Sequence, residues 1–99
     1  LPSANSRETS VFRHGSEPRN ALWAIGDVHV AGGRNIHGAA IVKAHDVRAA
    51  QLEVIAAEPP PRHAAIGGWP WLGDDPALQK AQQKERALQL TGVAVLVMR

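Results

Sequence analysis

The sequence has no cysteine and no tyrosine, and its large rings are limited to one Phe and three Trp. Without cysteine there is no disulfide, no thiolate metal site and no cysteine nucleophile. The fold must rest on packing and hydrogen bonds alone. Such a chain suits a reducing compartment, and a cytoplasmic location is the expectation. The scarcity of rings makes each one more valuable to a core than to a ligand. Long apolar runs are missing too. The longest covers residues 93–98, against about 20 residues for a membrane-spanning helix, so no membrane association is expected. Residues 1–5 lack the basic and apolar regions of a signal peptide, although a chain that begins with Leu leaves a removed leader open. Neither sign of charge dominates. Eleven Lys and Arg face nine Asp and Glu, for a net charge of +2. The signs alternate along the chain, without the basic block of a typical nucleic-acid binder.

What is present describes a folded domain. Apolar residues make up 44% of the chain and charged residues 20%, a globular composition and not a disordered one. A length of 99 residues suffices for one core and not for two. The expected organisation is a flexible segment over residues 1–10 and a single α+β domain over residues 11–99.

Local pattern predicts the order strand, strand, short helix, strand, strand, helix, strand. Val11 and Phe12 begin the first strand, and Pro18 breaks the turn after it. Residues 21–30 are rich in β-formers and read as the second strand. Residues 39–43 form another strand candidate. Asp46 is placed to cap a helical turn over residues 47–51. Residues 52–57 alternate as a strand, with Leu52, Val54 and Ala56 on one face. Pro59, Pro60 and Pro61 end it, since none has an N–H to give a ladder. Residues 63–66 form a strand that runs into Gly67 and Gly68. The clearest helix follows Asp75, a good N-cap, with Pro76 in the first helical position. Its apolar stripe reads as Ala77, Ala81 and Leu88, with Gln79, Gln83 and Arg86 towards water. Gly92 suits a left-handed C-terminal cap. Residues 93–98 read as a strand covered on both faces. The simplest arrangement is a small mixed or antiparallel sheet with one long C-terminal helix packed on a face, followed by a C-terminal strand.

Several motifs carry chemistry in principle. Ile25-Gly26-Asp27-Val28-His29 resembles the first metal-binding block of the calcineurin-like metallophosphatases, in which an Asp and a His bind the first of two metals. Val30 stands where that family has Gly. The blocks that would supply the second metal's ligands are missing, and two-metal catalysis needs both ions. A chance match on a strand is the better reading. His29, His37, His45 and His63 are separated by eight, eight and eighteen residues, which matches no compact zinc site. The expectation is therefore no metal and no cofactor, with one or two histidines hydrogen-bonded inside. The glycine-rich loop of residues 32–38 lacks the Gly-Lys-Ser/Thr ending of a phosphate loop.

Two Arg-His pairs, Arg13-His14 and Arg62-His63, each sit at a strand-like segment. A base, an acid and a cation are what metal-free RNA cleavage requires, and small ribonuclease toxins use such a set. These four residues are the catalytic candidates if the protein is a nuclease, provided that His14 and His63 meet in one cleft with an Arg. Trp69 and Trp71 flank Pro70. They either stack on a base or a partner, or seal the core.

Leu52-x-Val54, then His63-Ala64-x-Ile66-x-Gly68-Trp69-Pro70, then a helix of Ala, Gln and Leu with an apolar ending, resembles short uncharacterised bacterial accessory proteins of phages, plasmids and gene cassettes. The resemblance covers residues 52–96. It implies a small stand-alone α+β protein and carries no established activity. It makes His63, Trp69 and Pro70 candidates for a shared site or a shared turn, with Trp71 beside them.

The sequence therefore points to a small accessory or binding protein acting on an unidentified protein or nucleic-acid partner. A metal-free ribonuclease is the alternative, and a metallophosphatase-like fragment a distant third. A sheet this small has edges to protect, and the final strand has no charge before Arg99, so a homodimer is expected.

Overall fold

The computed structural model describes residues 2–3, 7–15 and 18–99. Part of the N-terminal segment expected to be flexible, residues 1 and 4–6, lies outside the described residues. The first strand starts at Thr9, inside that segment. The elements run β1 (Thr9–Phe12), α1 (Arg19–Ile25), a π-helical turn (Gly26–Val30), β2 (Gly38–Ile41), α2 (Ala44–Ala49), β3 (Glu53–Ala56), β4 (His63–Gly67), α3 (Pro76–Val93) and β5 (Val95–Met98). The fold is α+β, with every strand pair antiparallel.

The strands form two sheets and not one. The first has the order β1-β4-β3, and the second is a ribbon of β2 and β5. Val11 pairs with Ala64, and Val54 with Ile66. Directly paired residues share a face, so Val11, Ala64, Val54 and Ile66 form an inner face. Ser10, Phe12, His63 and Ala65 belong to the outer one. Against the inner face packs a small core of Val47, Ala50, Leu52, Ile66 and Trp69, with Val11, Val42, Val54, Ala87 and Leu90 around it.

Residues 21–30 are helical, which corrects the strand expected there. Ala21, Leu22 and Ala24 favour a helix. The β-branched Val28 and Val30, which suggested a strand, are exposed at 75% and 59% in the wider π turn. That turn is closed by the Ala31 N–H donating to the Gly26 carbonyl at 2.8 Å. The short helix α2 starts earlier than expected. Lys43 is its N-cap and Asp46 lies within the first turn, with no side-chain cap. Gln51, in the left-handed region at φ 62°, follows the helix.

Helix α3 begins where Asp75 and Pro76 place it, and the Asp75 carboxylate accepts from the Leu78 N–H at 3.1 Å. Its rotation differs from the expectation. Leu88 is 71% exposed, and Ala77 and Ala81 also face water. The inward face instead carries Gln79, Gln83, Arg86, Ala87 and Leu90. Hydrogen bonds decide this. The Gln79 Oε1 accepts from the Leu72 N–H at 2.7 Å, Gln83 Nε2 donates to the Pro70 carbonyl at 2.9 Å, and Arg86 Nη1 donates to the Ala50 carbonyl at 2.7 Å. Each bond pairs a backbone group that would otherwise lose water without compensation. Gly92 lies inside the helix and does not cap it, since α3 continues to Val93.

Strand β5 is not covered on both faces. Only Val97 is buried, while Val95, Leu96 and Met98 are 60%, 70% and 66% exposed. The ribbon is tied to the π-helical turn by Arg99, whose guanidinium donates two bonds of 2.7 Å to the Asp27 carboxylate. The same guanidinium lies 5.6 Å from the Trp23 ring centre. The radius of gyration is 14.2 Å, above the ~13 Å usual for about 100 residues.

Candidate functional site

Between the inner face of the three-stranded sheet and the α1–β2 side lies an open cleft of about 470 Å³. Small-molecule pockets span ~300–1,000 Å³ and are mostly apolar. The walls here include Leu22, Ile36, Val42 and Val54. The sequence explains the space. Ala39, Ala40, Ala44 and Ala64 also line the cleft, and no Tyr and only one Phe exist to fill it. Among the described residues its ionisable lining residues are Arg13 and His14, on one wall, with Trp23 among the other lining residues.

A second constellation surrounds His63, and two of its members, Ser10 and Phe12, also line the cleft. His63 Nδ1 lies 2.8 Å from the Ala57 carbonyl oxygen. A carbonyl only accepts, so Nδ1 carries the proton and Nε2 of the neutral ring is an acceptor. The Ser10 hydroxyl, 2.6 Å away, donates to that Nε2. Phe12 packs beside the pair, its ring centre 5.2 Å from His63 and 5.6 Å from His29, which stacks on it. Ser10 is solvent-exposed and His63 half-buried.

The Arg-His pairs lie side by side at the end of β1 and β4, where the Arg13 N–H donates to the Arg62 carbonyl at 2.8 Å. Their imidazoles are directed differently. His14 lines the cleft, and His63 is bonded to Ser10 and Ala57 on the outer face. The Arg13 guanidinium forms an ion pair with Glu58. Trp69 is buried at 7% exposure, and its Nε1–H donates to the Ile66 carbonyl at 3.0 Å. Gly68 makes that turn possible at φ +76°, a conformation that side chains disfavour. Trp71 is half-buried beneath Arg7, whose guanidinium carbon stands 4.4 Å from the ring centre.

Asp27 and His29, the metallophosphatase-like pair, occupy a π-helical turn and not a strand end. Asp27 is engaged by Arg99 and His29 stacks on Phe12. The Arg99 guanidinium, by hydrogen bonding first and by its charge second, holds the Asp27 carboxyl below its usual range. Among the described residues no three His, Asp or Glu side chains converge as metal ligands would. No helix among them is long and apolar enough to cross a membrane.

Sequence reasoning singled out His63 and missed Ser10. The two are 53 residues apart and meet only through the β1–β4 register, which no local motif reports. No family model, curated protein or solved structure matches this chain.

Proposed function

We propose that the protein is a binding module that takes a small, mainly apolar molecule with an anionic end into the cleft. The observation that carries this is the cleft itself: about 470 Å³ of apolar-walled space beside a core whose largest fully buried side chain is Val47. Space of this kind leaves wall atoms without packing partners, and an apolar ligand restores those contacts. Arg13 and His14 stand at one wall and no carboxylate is among the described lining residues, so an anionic end is placed there in competition with Glu58 for the Arg13 guanidinium. The ribonuclease alternative is weaker. It needs both histidines free to serve one cleft, whereas both ring nitrogens of His63 are bonded, to Ser10 and to the Ala57 carbonyl, and His63 is not among the described residues that line it. Titration of ¹⁵N-labelled protein with octanoate tests the reading. Saturable shifts at Leu22, Val42, Val54 and Ala64, reduced in Leu22→Trp, are expected. Scattered shifts that do not saturate would exclude it.

The same reading includes a two-fold dimer through β5. A two-stranded ribbon is marginal alone in water, and among the described residues no further strand pairs with either edge of this one. Leu96 and Met98 face outward beside Ala40 and Gly38. No charged residue lies between Arg86 and Arg99, so antiparallel pairing of β5 with a second β5 brings no like charges together within the strands. Light scattering at micromolar concentration is expected to give twice the 10.6 kDa chain mass, and Leu96→Lys to return it to the monomer. Wild-type protein at the monomer mass throughout would refute the pairing.

A further inference from the structure

The Ser10, His63 and Ala57 arrangement does more than join two strands. Nucleophilic catalysis by serine needs a base within hydrogen-bond reach of the hydroxyl and a third group that orients the base. Here the Ser10 Oγ is 2.6 Å from Nε2, and the Ala57 carbonyl fixes the tautomer from the far side of the ring at 2.8 Å. Ala57, one residue past β3, is tied to β4 by its N–H donating to the His63 carbonyl at 3.0 Å, so the imidazole cannot present Nδ1 to Ser10 without losing that bond. Phe12 packs beside the imidazole on the same face. Ser10 is on the edge strand β1 and open to solvent, which leaves an approach for a flat substrate.

We infer that Ser10 is an acyl-accepting nucleophile activated by His63, with small aryl esters as the substrate class. The Oγ forms a bond to the acyl carbon as its proton passes to His63 Nε2. The tetrahedral adduct then collapses, breaking the bond to the aryl oxygen. The phenolate leaves, and the proton on Nε2 goes with it or, for a weakly basic phenolate, to solvent water, so that Nε2 is free to accept again. Water attacks the acyl-serine in the same way, its proton passing to Nε2, and the carboxylic acid departs as Ser10 regains its hydrogen. In the transient imidazolium the Nδ1–H still donates to the Ala57 carbonyl, so ring orientation persists through the cycle. Aryl esters fit because a phenolate is a good leaving group and its ring meets the apolar rim that Phe12, stacked on His29, forms beside His63.

The test is acylation by 4-nitrophenyl acetate, followed by release of 4-nitrophenolate and by peptide-mapped mass spectrometry. One acetyl group on Ser10 is expected, formed with a burst of phenolate. Ser10→Ala abolishes the burst, and His63→Gln slows it roughly 100-fold or more. Circular dichroism and melting of both variants show whether they remain folded. A second probe, a fluorophosphonate, labels Ser10 in unmodified protein and so does not depend on the variants. Acetylation confined to lysines or histidines, a burst preserved in Ser10→Ala, or no fluorophosphonate on Ser10 would each overturn the inference.

Discussion

Trp69→Ala removes the largest side chain in the core cluster. Trp69 is 7% exposed and packs with Val47, Ala50, Leu52 and Ile66. Deleting a buried large aromatic costs about 3–5 kcal/mol. The Ile66 carbonyl also loses the indole N–H. A domain of this size has about 5–15 kcal/mol in total, so one substitution removes a fifth or more of it. In a domain this small each kcal/mol shifts the midpoint by about 4–8 °C, which puts the expected fall at about 12 °C or more. Trp69→Phe keeps most of the ring and loses the hydrogen bond, for about 1–2 kcal/mol. Thermal and urea unfolding followed by circular dichroism separate the two variants. A Trp69→Ala protein that melts with the wild type would show that the indole does not seal the core, and would return the Trp-Pro loop to the search for a binding surface.

The rotation of α3 is checked by a pair of substitutions. Arg86→Ala leaves the buried Ala50 carbonyl without its donor and is expected to cost about 1–3 kcal/mol. Leu88→Ala, at a residue 71% exposed, stays within about 0.5 kcal/mol; the reverse ranking in urea would mean the helix is turned. The Asp27–Arg99 pair gives an acid-side signature. Because the folded carboxyl titrates below its ordinary value of 3.8, the pair contributes above that pH and is lost as pH falls through the lowered folded value. Melting temperatures of wild type and Asp27→Asn are expected to converge in acid, and a constant offset at every pH would contradict the linkage.

Local chemistry made some elements readable. Asp75 and Pro76 mark the start of α3 because capping is decided within four residues. The alternation of Leu52, Val54 and Ala56 and the three prolines after it delimit β3 for the same reason. Where tertiary partners decide, the pattern misleads. The inward face of α3 is chosen by backbone groups at Ala50, Pro70 and Leu72, which a helical wheel cannot see. Val28 and Val30 look like strand residues, but the helix that begins at Arg19 carries them on into a π turn. His63 was visible as a candidate, while Ser10 becomes one only when β1 and β4 align.

The polar inward face of α3 has a consequence for how the chain is seated. Rotating or sliding that helix by one residue swings every side chain by about 100° and strands three hydrogen-bonding groups at once. An all-leucine stripe would admit neighbouring seats at similar energy; glutamine and arginine admit one. Because only Ala94 separates α3 from β5, the seat of the helix also fixes where the ribbon begins. The segment around Trp69, gripped through the Pro70 carbonyl and the Leu72 amide, is thereby keyed to the same position. A few directional bonds on one helix thus act as the alignment pins between two sheets that share no strand.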